Sequence, residues 1–532
     1  MKKEYSLRLA QIVTSVSIRI GLLIALLVGI STTTFSQKKV KLQKADQLKG
    51  GKDKNGDRFE RLIGNVVFVQ NKTTIYCDSA YFYKSKNTVE AFGKVRITEG
   101  DSVTITASKL EYDGNLKVAK LRRNVVFTKL NQSTLYTDYL DYDRPRNLAY
   151  YYNGGKLVDS INVLNSNKGY YDLNNNMASF KKDVDVKNPD YTMTSDSLQY
   201  NSQSKILFFR TPTTVIDKDS SVFVYSGGQY ETTTRKSDIK LGTAESTDFR
   251  LVGKSYKLDD ILKIYRLRED VVMTSKKENL IIYGQAVDYY KLKGISKIYI
   301  NAYLAKITEG EDTLFISADT LVSIENVDPK KKRLLAYNNV KIFRNDLQGI
   351  ADSLEYRQSD STIYFYDSPV LWTEGNQMTA DSIRMLIKNK TIDRIFMVAN
   401  SFVISKDSVF NFNQIKGRRM TAYFKNKKMD RVLVEGNGES IYAALSDEDN
   451  SFMGVNKIIC SNITIRFKDG TVHNLIFHVK PDARFIPPHE LKEEDKKLKG
   501  FNWQEESKPT RKDVVKSFSN DIETAPEARK RL

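Results

Sequence analysis

A chain of 532 residues that is 40% hydrophobic and 11% aromatic, with 30 tyrosines, 25 phenylalanines and ten prolines, has ample material for a buried core. That composition excludes a predominantly disordered polymer. The formal net charge of +19 asks for anionic partners, and lipid headgroups or anionic glycans suit an exported protein better than nucleic acid does.

Export is read from the first segment. Lys2, Lys3, Arg8 and Arg19 precede the apolar run "GLLIALLVGI" at 21–30, and small and polar residues follow as far as Gln37. A run this short does not span roughly 30 Å of hydrocarbon as a helix. Residues 1–36 therefore read as a cleaved secretory signal peptide rather than a retained anchor. Cys77 and Cys460 then belong to an oxidising compartment, where sequence alone leaves their pairing open.

From residue 37 the chain repeats itself. The stretches "TIYCDSAYF" (74–82), "TITASKLEY" (104–112), "TLYTDYLDY" (134–142) and "TMTSDSLQY" (192–200) share one frame, as do "FISADTLVS" (315–323), "QGIADSLEY" (348–356) and "QMTADSIRM" (377–385). Asp78, Ser108, Asp138, Asp196, Asp319, Asp352 and Asp381 fall in one column, and the step between copies is about thirty residues. On each side of that column apolar residues alternate with period two, the mark of a half-buried strand. The two sides are out of phase, so an unbroken strand would turn one set outward. The column is therefore expected to be a bulge or corner, where Asp and Ser bond locally to freed backbone groups. On this reading Asp78, Asp138, Asp196, Asp319, Asp352 and Asp381 are structural corners, and Cys77 is one of the small residues inside a bend. A second leg, such as "FGKVRITEG" (92–100) and "YNNVKIFRN" (337–345), alternates with the first.

The expected fold is all-β: an elongated antiparallel β-jellyroll, or V-shaped β-solenoid, of roughly 30-residue bent-hairpin repeats. Residues 37–216 hold N-terminal repeats, 217–312 degenerate copies, and 313–430 C-terminal repeats. Residues 431–504 depart from the pattern and are expected to form a β cap closing the stack. Within them Asp469-Gly470 reads as a hairpin turn and "PHELKEEDKKLKG" (488–500) as a short charged helix. The tail at 505–532, charged and without apolar periodicity, is expected to be disordered.

Catalytic and metal chemistry find little support. His473 and His478 are an odd number apart on a strand-like segment and face opposite sides. "DKNGD" (53–57) opens like a calcium loop but has Arg58 where a glycine is needed and Gly64 where a glutamate is needed. An aspartate in nearly every copy is a ladder, whereas catalysis needs one special place. The chain is read as a non-enzyme without cofactor or metal.

The inward positions mix large apolar residues with Ala, Ser and Thr, which fits a self-packed core and an acyl-chain groove alike. Here a resemblance adds to the reading. The signal peptide, the legs "TSDSLQY", "IADSLEY" and "TADSI", and the legs "IGNVVFVQ" and "FGKVRITEG" resemble the OstA/LptA-like family over roughly residues 38–430. The tyrosine-rich legs further resemble its longer, Bacteroidetes-type versions. The resemblance implies a periplasmic bridge of stacked β-jellyroll modules that shields lipopolysaccharide, through its lipid A acyl chains, between inner and outer membranes. Interior groove candidates are Ile75, Phe82, Ile105, Leu110, Leu135, Leu140, Met193, Leu198, Leu354, Met378 and Ile383. Implied partners are inner- and outer-membrane transport components with jellyroll edges, and further copies joined end to end. The chain is far longer than a single-module bridge, and no run of outer-membrane barrel strands follows. An exported structural or adhesive solenoid with a dry core is the alternative.

Overall fold

The computed structural model describes residues 39–516, apart from 101–102, 130–132, 160, 219, 248, 277–278, 308–312, 390, 407–410, 427, 447 and 469–470. The expected signal peptide, the expected turn at Asp469-Gly470 and the end of the tail lie outside the described residues. The described residues divide into two compact units, one up to Asn153 and one from Gly154 on.

In the first unit nine strands follow one another: β1 (Lys41–Lys44), β2 (Gln47–Lys52), β3 (Arg58–Gln70), β4 (Thr73–Tyr83), β5 (Thr88–Glu99), β6 (Val103–Asp113), β7 (Val118–Lys129), β8 (Ser133–Asp143) and β9 (Leu148–Tyr151). From β3 to β9 each pairs antiparallel with the next, while β1 and β2 share the edge of β3. In every long pair the register slips at the same level, between Ile63 and Val66 or between Phe92 and Val95, for example. Two residues of the second leg there oppose one residue of the column, which is a β-bulge. The slip restores phase, so Ile75 and Cys77 before it and Ala80 and Phe82 after it are all buried. The expected all-β architecture of bent hairpins is thus present.

The left-handed residues of the bend lie on the second leg, opposite the aspartate column. The paired left-handed residues are Gly64-Asn65, Gly93-Lys94 and Arg123-Asn124, with φ between +39° and +79°, whereas the aspartate column has none of them. Gly93 shows why: a Cβ there would meet Asp78 Oδ2 at 2.5 Å, so the carboxylate packs directly over the bulge. At three bulges without glycine an aspartate of the column bonds to the bulge. Asp138 accepts from the Asn124 backbone N–H at 3.0 Å, and Asp319 and Asp381 accept from the side-chain amides of Asn339 and Asn400. Such acceptors offset the roughly 1–2 kcal/mol that a left-handed residue costs.

The second unit repeats the device at Lys182-Asp183, Glu269-Asp270, Ile300-Asn301, Asn338-Asn339 and Ala399-Asn400. Residues 217–312, expected as degenerate copies, form long strands such as Ile264–Ser275 and Leu280–Tyr290. Elsewhere the bend becomes a break, as between Ile206–Phe209 and Thr213–Asp217 and between Thr362–Tyr366 and Val370–Thr373. Pro212 and Pro369 stand in those gaps and have no N–H for a ladder.

The C-terminal segment departs from expectation in two ways. Residues 488–500 are not an α-helix; they run through a 3-10 turn at Glu493–Asp495 flanked by short hydrogen-bonded turns. Residues 505–516 are packed, with a four-residue α-helix at Arg511–Val514 whose Val514 is fully buried against Ala305 and Phe315. The segment is a strap on the outer side of the sheet. Leu491, Leu498, Phe501 and Trp503 cover Phe402, Ile404, Ile441 and Val455. Buried Gln414 accepts from the Leu498 N–H at 2.8 Å and donates to Lys496 O at 2.7 Å. Gln377 does the same for Gln504 N–H and Asn502 O. These amides give the irregular segment partners for backbone groups that an α-helix would have satisfied itself.

Candidate functional site: the slit between the arms

A straight strand the length of β5 would be on the order of 40 Å long. Glu99 ends β5, while Arg144 follows β8 at the opposite end of the ladder, with its N–H on Lys117 O. Yet Arg144 Nη2 lies 2.8 Å from Glu99 Oε1. Only a fold at the bulges brings these ends together, so the sheet of the first unit has two arms that face each other and meet at a slit.

The slit of this unit is closed by polar bonds. Besides the ion pair, the Tyr142 hydroxyl donates to Glu99 Oε2 at 3.2 Å. The Tyr112 hydroxyl donates to Gln70 Oε1 at 2.6 Å, and Gln70 Nε2 donates to Gly114 O at 2.9 Å. The Val40 N–H donates to Asn87 Oδ1 at 2.9 Å. In every case one partner comes from each arm. Burial pushes the Tyr112 and Tyr142 hydroxyls up to about 12, with the Glu99 charge adding to it, so both are neutral donors at neutral pH.

Just inside lies a cavity of about 20 Å3 lined by Ile75, Ile97, Ile105 and Ala119 on its apolar side. Thr73 and Arg144 border it too, and Thr73 Oγ1 and Arg144 Nη1 are buried with no protein partner. Beside β2 and the start of β3 a larger cleft of about 660 Å3 has Phe59 and Phe82 in its wall and Lys52, Arg58 and Lys84 around it.

The second unit closes differently. Tyr191 and Tyr225 on one arm approach Tyr230 and Tyr265 on the other, and burial raises all four hydroxyls, that of Tyr191 to about 12. A carboxylate bridges this slit as well: Glu374 accepts the Met429 N–H at 3.3 Å.

Ten of the eleven interior candidates are at most 4% exposed: Ile75, Phe82, Ile105, Leu110, Leu140, Met193, Leu198, Leu354, Met378 and Ile383. Leu135 is half-buried. Neighbouring side chains, rather than an open groove, cover them. The six corner aspartates are exposed at the bend. Glu355, on the outward side next to Leu354, is nonetheless 8% exposed, because Arg333, Arg357 and Tyr366 bond to its carboxylate. Arg357 chiefly, against burial, holds that carboxyl below its ordinary value. Cys77 and Cys460 are buried free thiols, and burial lifts the Cys77 thiol to about 12.

The slit residues Gln70, Thr73, Glu99 and Arg144 escaped the repeat analysis. Glu99 gave one usable signal: it continues the inward phase of Val95 and Ile97 with a charge.

Residues 37–196 match the family model described as OstA-like protein, so the resemblance read from the repeats holds over that region. Among solved structures, LptH of Pseudomonas aeruginosa is described as the LptA homologous periplasmic component of the conserved lipopolysaccharide transport device. It aligns at 18% identity over 22% of this chain and 79% of its own, with a TM-score of 0.19. No curated protein matches the chain. No helix among the described residues is long and apolar enough to cross a membrane.

Proposed function

We propose that the protein is a periplasmic, non-enzymatic carrier in outer-membrane assembly. Between the faces of its two-armed sheets it shields the acyl chains of lipopolysaccharide on the way from inner to outer membrane. The observation that carries this reading is the facing of two apolar arms along a slit, in a chain whose residues 37–196 are OstA-like. A slit suits an amphiphile: acyl chains lie on Ile, Leu, Met and Phe side chains while the sugar and phosphate headgroup stays in water. The excess of Lys and Arg, 84 against 65 Asp and Glu, favours an anionic headgroup. Its partners are membrane-bound transport components that extend the free sheet edges, or further copies of the chain.

The interior is closed by its own side chains, so the arms part to admit a lipid. That same close packing favours a second reading, an exported structural solenoid with a dry core. Equilibrating the purified full-length protein with fluorescent lipopolysaccharide and with a soluble glycan lacking acyl chains separates the two. Saturable binding of the acylated molecule alone supports the carrier; binding of neither leaves the dry-core reading.

A further inference from the structure

We propose that Glu99 is a built-in anion plug: its carboxylate occupies, in the closed first unit, the place taken by a phosphate of an amphiphilic cargo. This deepens the carrier reading and rests on it. The site is assembled across the slit. Glu99 contributes the anion from one arm, while Arg144 and the Tyr142 hydroxyl hold it from the other at 2.8 and 3.2 Å. A guanidinium and a neutral hydroxyl are ordinary phosphate donors.

Two further donors have room to spare. Thr73, 6% exposed, and Arg144 Nη1 border the cavity without protein partners. The cavity holds about one water molecule while the carboxylate is in place. Swinging Glu99 outward frees its space, and a phosphate entering there can accept from Arg144 and Tyr142 together with the spare donors. Lys117, which also lines the cavity, then adds a cation that Glu99 no longer offsets. The acyl chains below would lie against Ile75, Ile97 and Ile105, the apolar wall of the same cavity. Opening the slit would thus be coupled to phosphate recognition: a cargo without phosphate separates the arms but cannot replace the bond that closed them.

The test compares lipid A carrying its phosphates with the same lipid after phosphatase treatment, titrated into the full-length protein, Glu99→Gln and Arg144→Gln. Unplugging by Glu99→Gln is expected to tighten the phosphorylated lipid by about tenfold and the dephosphorylated one little, the scale of one charge-assisted bond. Arg144→Gln is expected to remove the preference for phosphate. Arg144→Lys, which keeps the charge but not the two-pronged geometry, should restore part of it even if Arg144→Gln folds poorly. An equal gain for both lipids in Glu99→Gln would overturn the proposal and leave Glu99 a simple latch. Equal affinities in every variant would overturn it too while leaving the carrier reading intact. Binding of neither lipid by any form would instead remove the carrier reading, and this inference with it.

Discussion

Each unit has its own apolar floor at the bottom of the bend between its arms, and the two units differ at the slit. In both, the arms bend at left-handed bulges and bury aliphatic side chains such as Leu110 and Leu354, at 0% and 2% exposure. The first unit then closes with a charged and amide network, Glu99–Arg144, Gln70–Tyr112 and Asn87–Val40. In the second, half-buried tyrosines such as Tyr191 and Tyr230 and the Glu374 carboxylate stand at the slit among the described residues. Apolar burial supplies stability without direction, whereas the slit bonds are directional and exchangeable for water or for a ligand. The difference teaches where each job resides: the floor holds the arms together, and the slit decides what parts them.

The comparison breaks first at the floor. Leu110→Ala and Leu354→Ala should each destabilise by about 2–5 kcal/mol, read by denaturant unfolding. A marked loss for one and none for the other would mean that the two floors are not alike. Next in size is the strap, which belongs to the second unit alone. Gln414→Ala leaves the buried Leu498 N–H without its partner and Gln377→Ala loosens the part-buried bonds at 502 and 504, so the former should cost about 1–3 kcal/mol and the latter less. Proteolysis would then begin within residues 487–516; unchanged protection there would contradict the clamp.

A smaller effect has opposite signs in the two units. Gly93→Ala forces a Cβ onto Asp78 at φ +72° and should destabilise by about 1–2 kcal/mol. Ala399→Gly, at φ +60°, relieves a left-handed alanine and should stabilise by up to about 1 kcal/mol. Thermal unfolding of the two variants checks both signs. Absent at neutral pH is the alkaline effect. Tyr142 is raised from 10.0 to about 12, so the folded state favours the neutral hydroxyl. The stability it contributes is full below pH 10 and is lost as pH rises toward 12. Tyr142→Phe should lack that part of the alkaline loss, visible as a flatter profile of melting temperature against pH.

Much of this was legible in the sequence, for a physical reason. A bend that inverts side-chain phase has to show as a break in period-two alternation, and the Asp-Ser column marks that break in copy after copy. Which leg turns left-handed was only partly legible: the second residue of Arg123-Asn124, Lys182-Asp183 and Ala399-Asn400 is an Asn or Asp, which tolerates positive φ, but the first varies from Gly to Arg, Lys and Ala. The strap was misread as helix and disordered tail because its order comes from partners far along the chain: Gln377 and Gln414 for residues 496–504, and Ala305 and Phe315 for Val514. The slit was hidden for the same reason. Glu99 and Arg144 meet through the fold, and no local pattern records the meeting.

The central claim is that the space between the arms is the lipid path. A photo-crosslinking residue placed at Leu354, and at Leu110 in the first unit, tests it in growing cells, with exposed Glu111 as the control. Glu355 would serve poorly as that control, being covered by its arginines. The account expects lipopolysaccharide adducts at Leu354 and Leu110 and none at Glu111. Adducts at Glu111 alone, or at none of the three in a folded protein, would contradict it and leave a closed, dry core.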